Sequence, residues 1–173
     1  MLTTIFVVAG FAASVQPFAS QMTLRSFPVG LKFSRTRLTI ATALREVMND
    51  DASIGILAAG VIPYYSDDTQ PRRTVDFLGK VDRKVASLPP RVSPYINLRT
   101  RLFRPGHNKY DLTYSIQQWQ PDYIETYERR DQSVRPWAAA HYVRVKYKGV
   151  ELILLRGSKN VRWELLPSTM RPL

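Results

Sequence analysis

The strongest constraint on the fold is the run Ser53–Ile62, which is apolar, bounded by polar clusters, and free of polar and apolar alternation. A central strand that is covered on both faces has this pattern, because neither face then requires polar side chains. The 12 prolines argue against a long helical bundle and favour short elements joined by turns. We therefore expect a sheet with helices packed on it, and a loop at Pro63–Asp68 where this strand ends.

The other patterns predict the elements around this strand. Apolar residues at helical spacing predict a helix over 34–48, and Asp82 and Asp111 can cap further helices over 83–88 and 111–119. Strands are expected at 74–78, 122–127 and 161–166, and residues 167–173 are expected to be a loose tail.

The C-terminal region has the signature of a β-hairpin. Polar and apolar residues alternate from Tyr142 to Tyr147, and Lys148-Gly149 is short enough for a tight turn into a strand from Val150 to Leu155. The expected fold class is α/β, with a small two-layer or three-layer Rossmann-like open sheet and a C-terminal antiparallel hairpin. A hydrophobic N-terminal helix is expected to precede it.

The first residues differ from the remainder, because Met1–Leu24 contains no charged side chain. Its length is marginal for a membrane span, and a signal peptide or a buried segment of the core are the alternatives. The expected organisation is a membrane helix or anchor at 1–24, a connecting segment and helix at 25–52, a soluble α/β domain at 53–166 and a tail at 167–173. Basic residues after Leu24 would place the following chain in the cytoplasm by the positive-inside rule.

Composition restricts the chemistry. The net charge of +11 with 45% hydrophobic residues describes a folded basic domain rather than a disordered tail. The absence of cysteine excludes a disulfide framework, a thiolate zinc site and a cysteine nucleophile.

The segment Pro89–Tyr110 is basic, with five lysine or arginine residues, no acidic residue and interleaved aromatic residues. Such a segment could face the phosphates of nucleic acid or of anionic lipid, although a solvated basic face explains it as well. No nucleic-acid-binding motif is present, and nucleic acid is not an expected partner.

The turn Pro105–Asp111 places an imidazole, an amide, an ammonium group and a carboxylate directly before a helix. His107, Asn108, Lys109 and Asp111 could together bind a sugar or a phosphate. The alternative is structural, with Asp111 capping the helix and His107 bonded to a backbone carbonyl.

Acidic residues follow the two early strands, where open α/β sheets bind ligands. Asp67 and Asp68 could hold a hard cation, although adjacent acids in a loop are commonly just solvated, and Asp76 and Asp82 complete the set. No catalytic constellation can be assembled from known motifs, so we predict no catalytic residue, no metal site and no cofactor.

Two ordered motifs carry a family resemblance: AAGVIPYYSDDTQPRRTVDFLGKVDRKVASLP from Ala58 to Pro89, and RPGHNKYDLTYSIQQWQPDYI from Arg104 to Ile124. They resemble the C-terminal soluble region of bacterial multi-spanning GT-C glycosyltransferases, which use polyprenyl-phosphate sugars and include the arabinofuranosyltransferase group. The positions that match the family pattern in order are Gly60, Tyr64, Tyr65, Asp76, Leu78, Gly79, Asp82, Pro105, Gly106, His107, Lys109, Pro121 and Asp122.

The resemblance implies an extracytoplasmic module that follows the last membrane helix of such an enzyme. This orientation is opposite to the one that the basic residues after Leu24 indicate. The acidic catalytic residues of the class lie in earlier loops, so the chain is expected to lack sugar-transfer activity alone. Its implied role is to bind or position an envelope glycan acceptor or a polyprenyl-phosphate-linked sugar at the cell membrane.

The expected ligand site is one groove in which His107 and Lys109 face Tyr64, Tyr65 and Asp76. The full set of expected binding residues is Tyr64, Tyr65, Asp76, Asp82, His107, Asn108, Lys109 and Asp111. The alternative function is that of a free-standing small α/β enzyme, a hydrolase or phosphate-handling protein, which uses His107 with Asp76 or Asp82.

Overall fold

The computed structural model describes residues 29–57, 60–90, 109–126, 132–168 and 170–172. The chain divides into two units, 1–36 and 37–173. The described part of the first unit is the start of one helix. In chain order the helices and strands are α1 (Val29–Val47), β1 (Ser53–Ile56), α2 (Val61–Ser66), β2 (Arg73–Asp76), α3 (Arg83–Ser87), a π-helix (Tyr114–Gln118), β3 (Tyr123–Ile124), α4 (Arg135–His141), β4 (Tyr142–Tyr147), β5 (Val150–Leu155) and β6 (Met170–Pro172).

The described strands form one open sheet in the order β2-β1-β3-β5-β4-β6. β1 pairs in parallel with β2 and with β3, whereas β5 runs antiparallel to β3 and β4. The expected mixed α/β fold with an open sheet and a C-terminal antiparallel hairpin is therefore confirmed. The expected hydrophobic N-terminal helix lies outside the described residues. Within them, no helix is both long and apolar enough to cross a membrane.

The second unit has two cores, one on each face of the sheet. Leu44 and Val47 of α1 and Ile62 of α2 pack with Ile54 and Ile56 of β1 in the first core. The second core joins the π-helix, α4 and the other face of the sheet, and it includes Val75, Phe77, Leu112, Ile116, Ile124, Ala138 and Ile153. This arrangement explains the apolar pattern of β1, because helices cover both of its faces.

Gly55 in β1 is required by close packing. A Cβ atom at this position would lie 2.4 Å from Cζ of Phe77 and 2.8 Å from Cγ of Pro121. The ring of Phe77 is fully buried, so it has little space to move away. The glycine thus allows the aromatic ring to lie directly on the backbone of β1.

Asp122 connects three segments just before β3. Its carboxylate accepts hydrogen bonds from the Ser53 amide at 2.7 Å and the Ser53 hydroxyl at 2.9 Å. It also accepts from the hydroxyl of Ser158 and from Nδ2 of Asn160, the latter at 3.2 Å. The hydroxyl of Tyr142 donates to the carbonyl of Pro121, the residue before Asp122. The pKa of Tyr142 is raised, mainly because the side chain is buried and to a smaller extent because Asp122 is negatively charged. The buried carboxylate therefore holds the start of β1 to the loop after β5.

The apolar run Ser53–Ile62 was expected to be a single strand, and this prediction was wrong. The strand ends at Ile56, and the chain turns through Gly60 into α2. Gly60 has φ 146°, a conformation that is nearly restricted to glycine. The loop expected at Pro63–Asp68 is also corrected, since Pro63 to Ser66 lie in α2.

Two further corrections concern the C-terminus. The strand expected at 161–166 is replaced by an isolated bridge between Val161 and Met48, followed by a short 3₁₀ helix, Trp163–Leu165. The expected loose tail contains β6, which pairs with β4. The helix expected over 34–48 begins earlier, at Val29, and the strand expected over 122–127 is limited to Tyr123–Ile124.

The hairpin turn between β4 and β5 is fixed by a side-chain contact. Lys148 has φ 45° and Gly149 has φ 83°, as the expected tight turn requires. The ammonium group of Lys148 bonds Glu46 of α1 at 2.7 Å, and the hydroxyl of Tyr147 donates to the same carboxylate at 2.9 Å. These bonds from Lys148 and Tyr147 lower the pKa of Glu46.

We predict that acidification weakens this contact. A carboxylate whose pKa is lower in the folded protein stabilises the fold above its ordinary pKa of 4.5 and loses that effect as the pH falls through the lowered value. Thermal melts of the wild type and Glu46→Gln should therefore differ at neutral pH and converge in acid. A difference that is the same at both pH values would contradict this assignment.

Candidate functional site at the carboxyl edge of the parallel strands

The candidate site lies where β1, β2 and β3 end. Because these strands are parallel, their carboxyl ends share one edge of the sheet. β2 and β3 lie on opposite sides of β1, so the order of the strands reverses at β1. Open α/β sheets bind ligands at such a position.

Glu125, directly after β3, binds Leu57, the residue that follows β1. Its carboxylate accepts a hydrogen bond from the amide of Leu57 at 2.8 Å. Arg37 of α1 donates to the other oxygen at 3.1 Å, and the Glu125 side chain is 14% exposed. This contact links α1, β1 and β3 at the position where the sheet order changes.

Tyr64 and Tyr65 are carried by α2, which begins after this loop. Their side chains are 75% and 50% exposed, although both are large aromatic groups. The two rings meet edge to face with centroids 4.8 Å apart. The pair forms an exposed aromatic surface on α2, the helix that follows β1 along the chain.

Asp76 is placed differently from the tyrosines, because it is buried at the end of β2. One carboxylate oxygen accepts from the amide of Leu78 at 2.9 Å, and the other accepts from the amide of Val81 at 3.0 Å. Both oxygens therefore stabilise the turn after β2, and these contacts account for the burial of the charge.

Asp82 and Asp111 cap helices, as their positions in the sequence predict. Asp82 accepts from the amide of Val85 at 2.9 Å, and Asp111 accepts from the amide of Tyr114 at 2.9 Å. Each carboxylate satisfies an amide that has no partner within its own helix.

Lys109 brings two of the expected segments together. Its ammonium group donates to the carbonyl of Ala86 in α3 at 2.7 Å. The segment before the π-helix thus adjoins the helix that Asp82 caps. His107 and Asn108 lie outside the described residues, and the shared groove with Tyr64 and Tyr65 stays a prediction.

The acidic loop after α2 is engaged in contacts with the protein. Asp67 accepts from the amide of Arg72 at 2.9 Å, and Asp68 forms a salt bridge with Arg45 at 2.8 Å. In the part of the chain that the structure describes, no group of three or more histidine or acidic residues could hold a metal ion.

Sequence reasoning missed Glu125 and Arg37. Glu125 follows a strand of a parallel sheet, which is the same signal that drew attention to Asp76. Arg37 gave no comparable signal, because a basic residue in a basic helix has no distinctive pattern.

Comparison with known proteins gives one match. Residues 27–165 match a family described as Domain of unknown function (DUF8728). No curated protein and no solved structure matches the chain.

Proposed function

We propose that this chain, which belongs to the DUF8728 family, is the extracytoplasmic module of a membrane glycosyltransferase and binds a glycan acceptor through Tyr64 and Tyr65. The exposed tyrosine pair is the observation that carries the proposal. Sugar rings present C–H groups that pack on aromatic faces, where the π-system carries negative charge. Hydroxyl groups at the rim of each tyrosine add hydrogen bonds.

The way in which the fold positions Tyr64 and Tyr65 supports a binding role. α2 is anchored by Ile62, which is fully buried in the first core, and Leu57 at the end of β1 is bonded to Glu125. Side chains on a fixed element lose less conformational freedom when a ligand binds. Exposed rings that are already positioned are thus suited to pack on the C–H face of a sugar ring.

The carboxylates favour binding over catalysis. Asp76 and Asp82 accept backbone hydrogen bonds, and Asp76 is buried. A general base needs an oxygen that reaches the proton of a substrate. The alternative of a hydrolase that uses His107 with these two acids draws no support from the described residues.

The resemblance supplies the remainder of the proposal. The likeness to GT-C glycosyltransferases supports a location outside the cell membrane, attachment through residues 1–24 and a polyprenyl-phosphate-linked sugar as the donor. The three parallel strands in the order β2-β1-β3 are compatible with a Rossmann-like sheet, and we include that finer assignment in the proposal.

Titration calorimetry with envelope polysaccharide fragments tests this function. We expect the full chain to bind at least one fragment and Tyr64→Ala/Tyr65→Ala to bind about tenfold or more weakly, which corresponds to about 1.4 kcal/mol. Trp119→Ala removes another exposed aromatic side chain and is the matched control, for which we expect unchanged binding.

Two results would overturn the proposal. One is that the wild type binds none of the fragments. The other is that the double tyrosine variant, with an unchanged circular dichroism spectrum, binds as tightly as the wild type.

A further inference from the structure

Four side chains form a second surface, which we call the cation–aromatic row. It consists of Arg73, Trp119, Tyr114 and Lys84, in order of contact. The guanidinium group of Arg73 lies 4.4 Å from the ring centroid of Trp119, and the ammonium group of Lys84 lies 3.8 Å from that of Tyr114. The two rings are 6.4 Å apart in an edge arrangement.

The π-helix brings the two rings together. Tyr114 is its first residue, and Trp119 directly follows its last. In an α-helix, residues five apart point in different directions, whereas the wider π turn, with its i to i+5 bonds, brings them toward one face. Because π-helices are rare and are found frequently at functional sites, this local geometry is an independent indication that the row is used.

The two charges of the row face no acidic partner within the part of the chain that the structure describes. Among the described residues, no carboxylate forms a salt bridge with Arg73 or Lys84. Both residues are exposed, and Trp119 is 37% exposed. Two cations that have no carboxylate partner among the described residues, beside an exposed tryptophan ring and a half-buried tyrosine ring, favour an anionic partner.

We infer that the cation–aromatic row docks on the interface of an anionic lipid bilayer. Tryptophan and tyrosine are enriched at membrane interfaces, and lysine and arginine beside them are attracted to lipid phosphates. The net charge of +11 adds attraction over a longer range.

The arrangement fits a bilayer better than other sources of phosphate. A site for free phosphate needs donors that converge on one point, but here the cations contact different rings at the two ends of the π-helix. Sites for single-stranded nucleic acid stack successive bases on aromatic rings along a basic groove, whereas these two rings meet edge to face at an interplanar angle of 76°. The inference does not depend on glycan binding by Tyr64 and Tyr65.

Flotation of the full chain with vesicles gives the first test. We compare phosphatidylcholine vesicles with vesicles that also contain about 30% phosphatidylglycerol. The measured quantity is the partition coefficient for the anionic vesicles divided by that for the neutral vesicles. Residues 1–24 contain no charged side chain, so most of their contribution to binding should cancel in this ratio. Arg73→Gln/Lys84→Gln should lower the ratio about 25-fold, since each charge contributes about fivefold.

The matched control is Arg156→Gln/Lys159→Gln, which removes the same charge from two exposed residues outside the row. We expect it to lower the ratio much less. An equal loss in both double variants would overturn the inference, because it would show that only net charge matters. So would a wild-type ratio close to one.

Tryptophan quenching by bromine-labelled lipid gives the second test. The fluorescence of the wild type should decrease on anionic vesicles that contain this lipid. In Trp119→Phe this decrease should be much smaller, because the tryptophan that reaches the bilayer has been removed. Quenching that is unchanged in Trp119→Phe would overturn the inference. A further measurement adds a single-stranded oligonucleotide to the wild type on the vesicles. If the oligonucleotide releases the protein and shields Trp119 from an aqueous quencher, that result would overturn the inference in favour of nucleic acid.

Discussion

Asp122→Ala should lower the free energy of unfolding by about 4 kcal/mol, as measured by urea denaturation. The substitution removes one carboxylate that accepts hydrogen bonds from Ser53, Ser158 and Asn160. Their donors lie in a partly or fully buried region, so water cannot replace every bond. A domain with the usual stability of about 5–15 kcal/mol would lose a large fraction of it.

Two variants make this expectation specific. Asp122→Asn keeps the size and one acceptor oxygen, so it should lose about half as much. Asp82→Ala removes an aspartate that only caps α3, and it should cost about 1 kcal/mol. A loss for Asp122→Ala that is no larger than the loss for Asp82→Ala would show that the network does not hold the three segments.

Gly55→Ala should lower the free energy of unfolding by about 2–3 kcal/mol. The added methyl group would meet the ring of Phe77 and the ring of Pro121 at distances that require both to shift. The substitution leaves every backbone hydrogen bond of β1 in place, so the loss would report on packing.

The double variant Gly55→Ala/Phe77→Leu tests the cause. Phe77→Leu alone should destabilise the protein, because it leaves a cavity in the second core. Together the two changes should cost at least about 1 kcal/mol less than the sum of the single changes, since the smaller side chain makes room for the methyl group. Strict additivity would show that Phe77 is not the obstacle.

Local patterns predicted local structure well. The caps at Asp82 and Asp111 and the hairpin around Lys148-Gly149 depend on residues within a few positions of one another. The buried character of β1 was also evident, since both faces of the strand are covered from Ile54 to Ile56 and no polar residue follows Ser53 in it.

Contacts between distant residues account for the main error in the fold. The end of β1 is set in part by Glu125, which is 68 positions from Leu57 in sequence. An apolar run does not show where a distant carboxylate will bind a backbone amide. The division of Ser53–Ile62 into a strand and a helix could therefore not be read from the run alone.

The same limit applies to the candidate site. An aspartate at a strand end can face a ligand or can bind its own turn, and the sequence is the same in both cases. Asp76 binds the amides of Leu78 and Val81. The segment Tyr114–Gln118 has the composition of an ordinary helix, and nothing in it predicts the π turn that brings Tyr114 close to Trp119.

The pairing of β6 with β4 has a consequence for solubility. β4 is six residues long and would otherwise present a row of free backbone donors and acceptors on its outer side. Such a row is a template for pairing with a second chain and hence for aggregation. β6 pairs with Val143–Val145 in the middle of this row and is itself only three residues long, with a proline that has no amide to donate. β6 thus limits the growth of an intermolecular β-sheet from this edge.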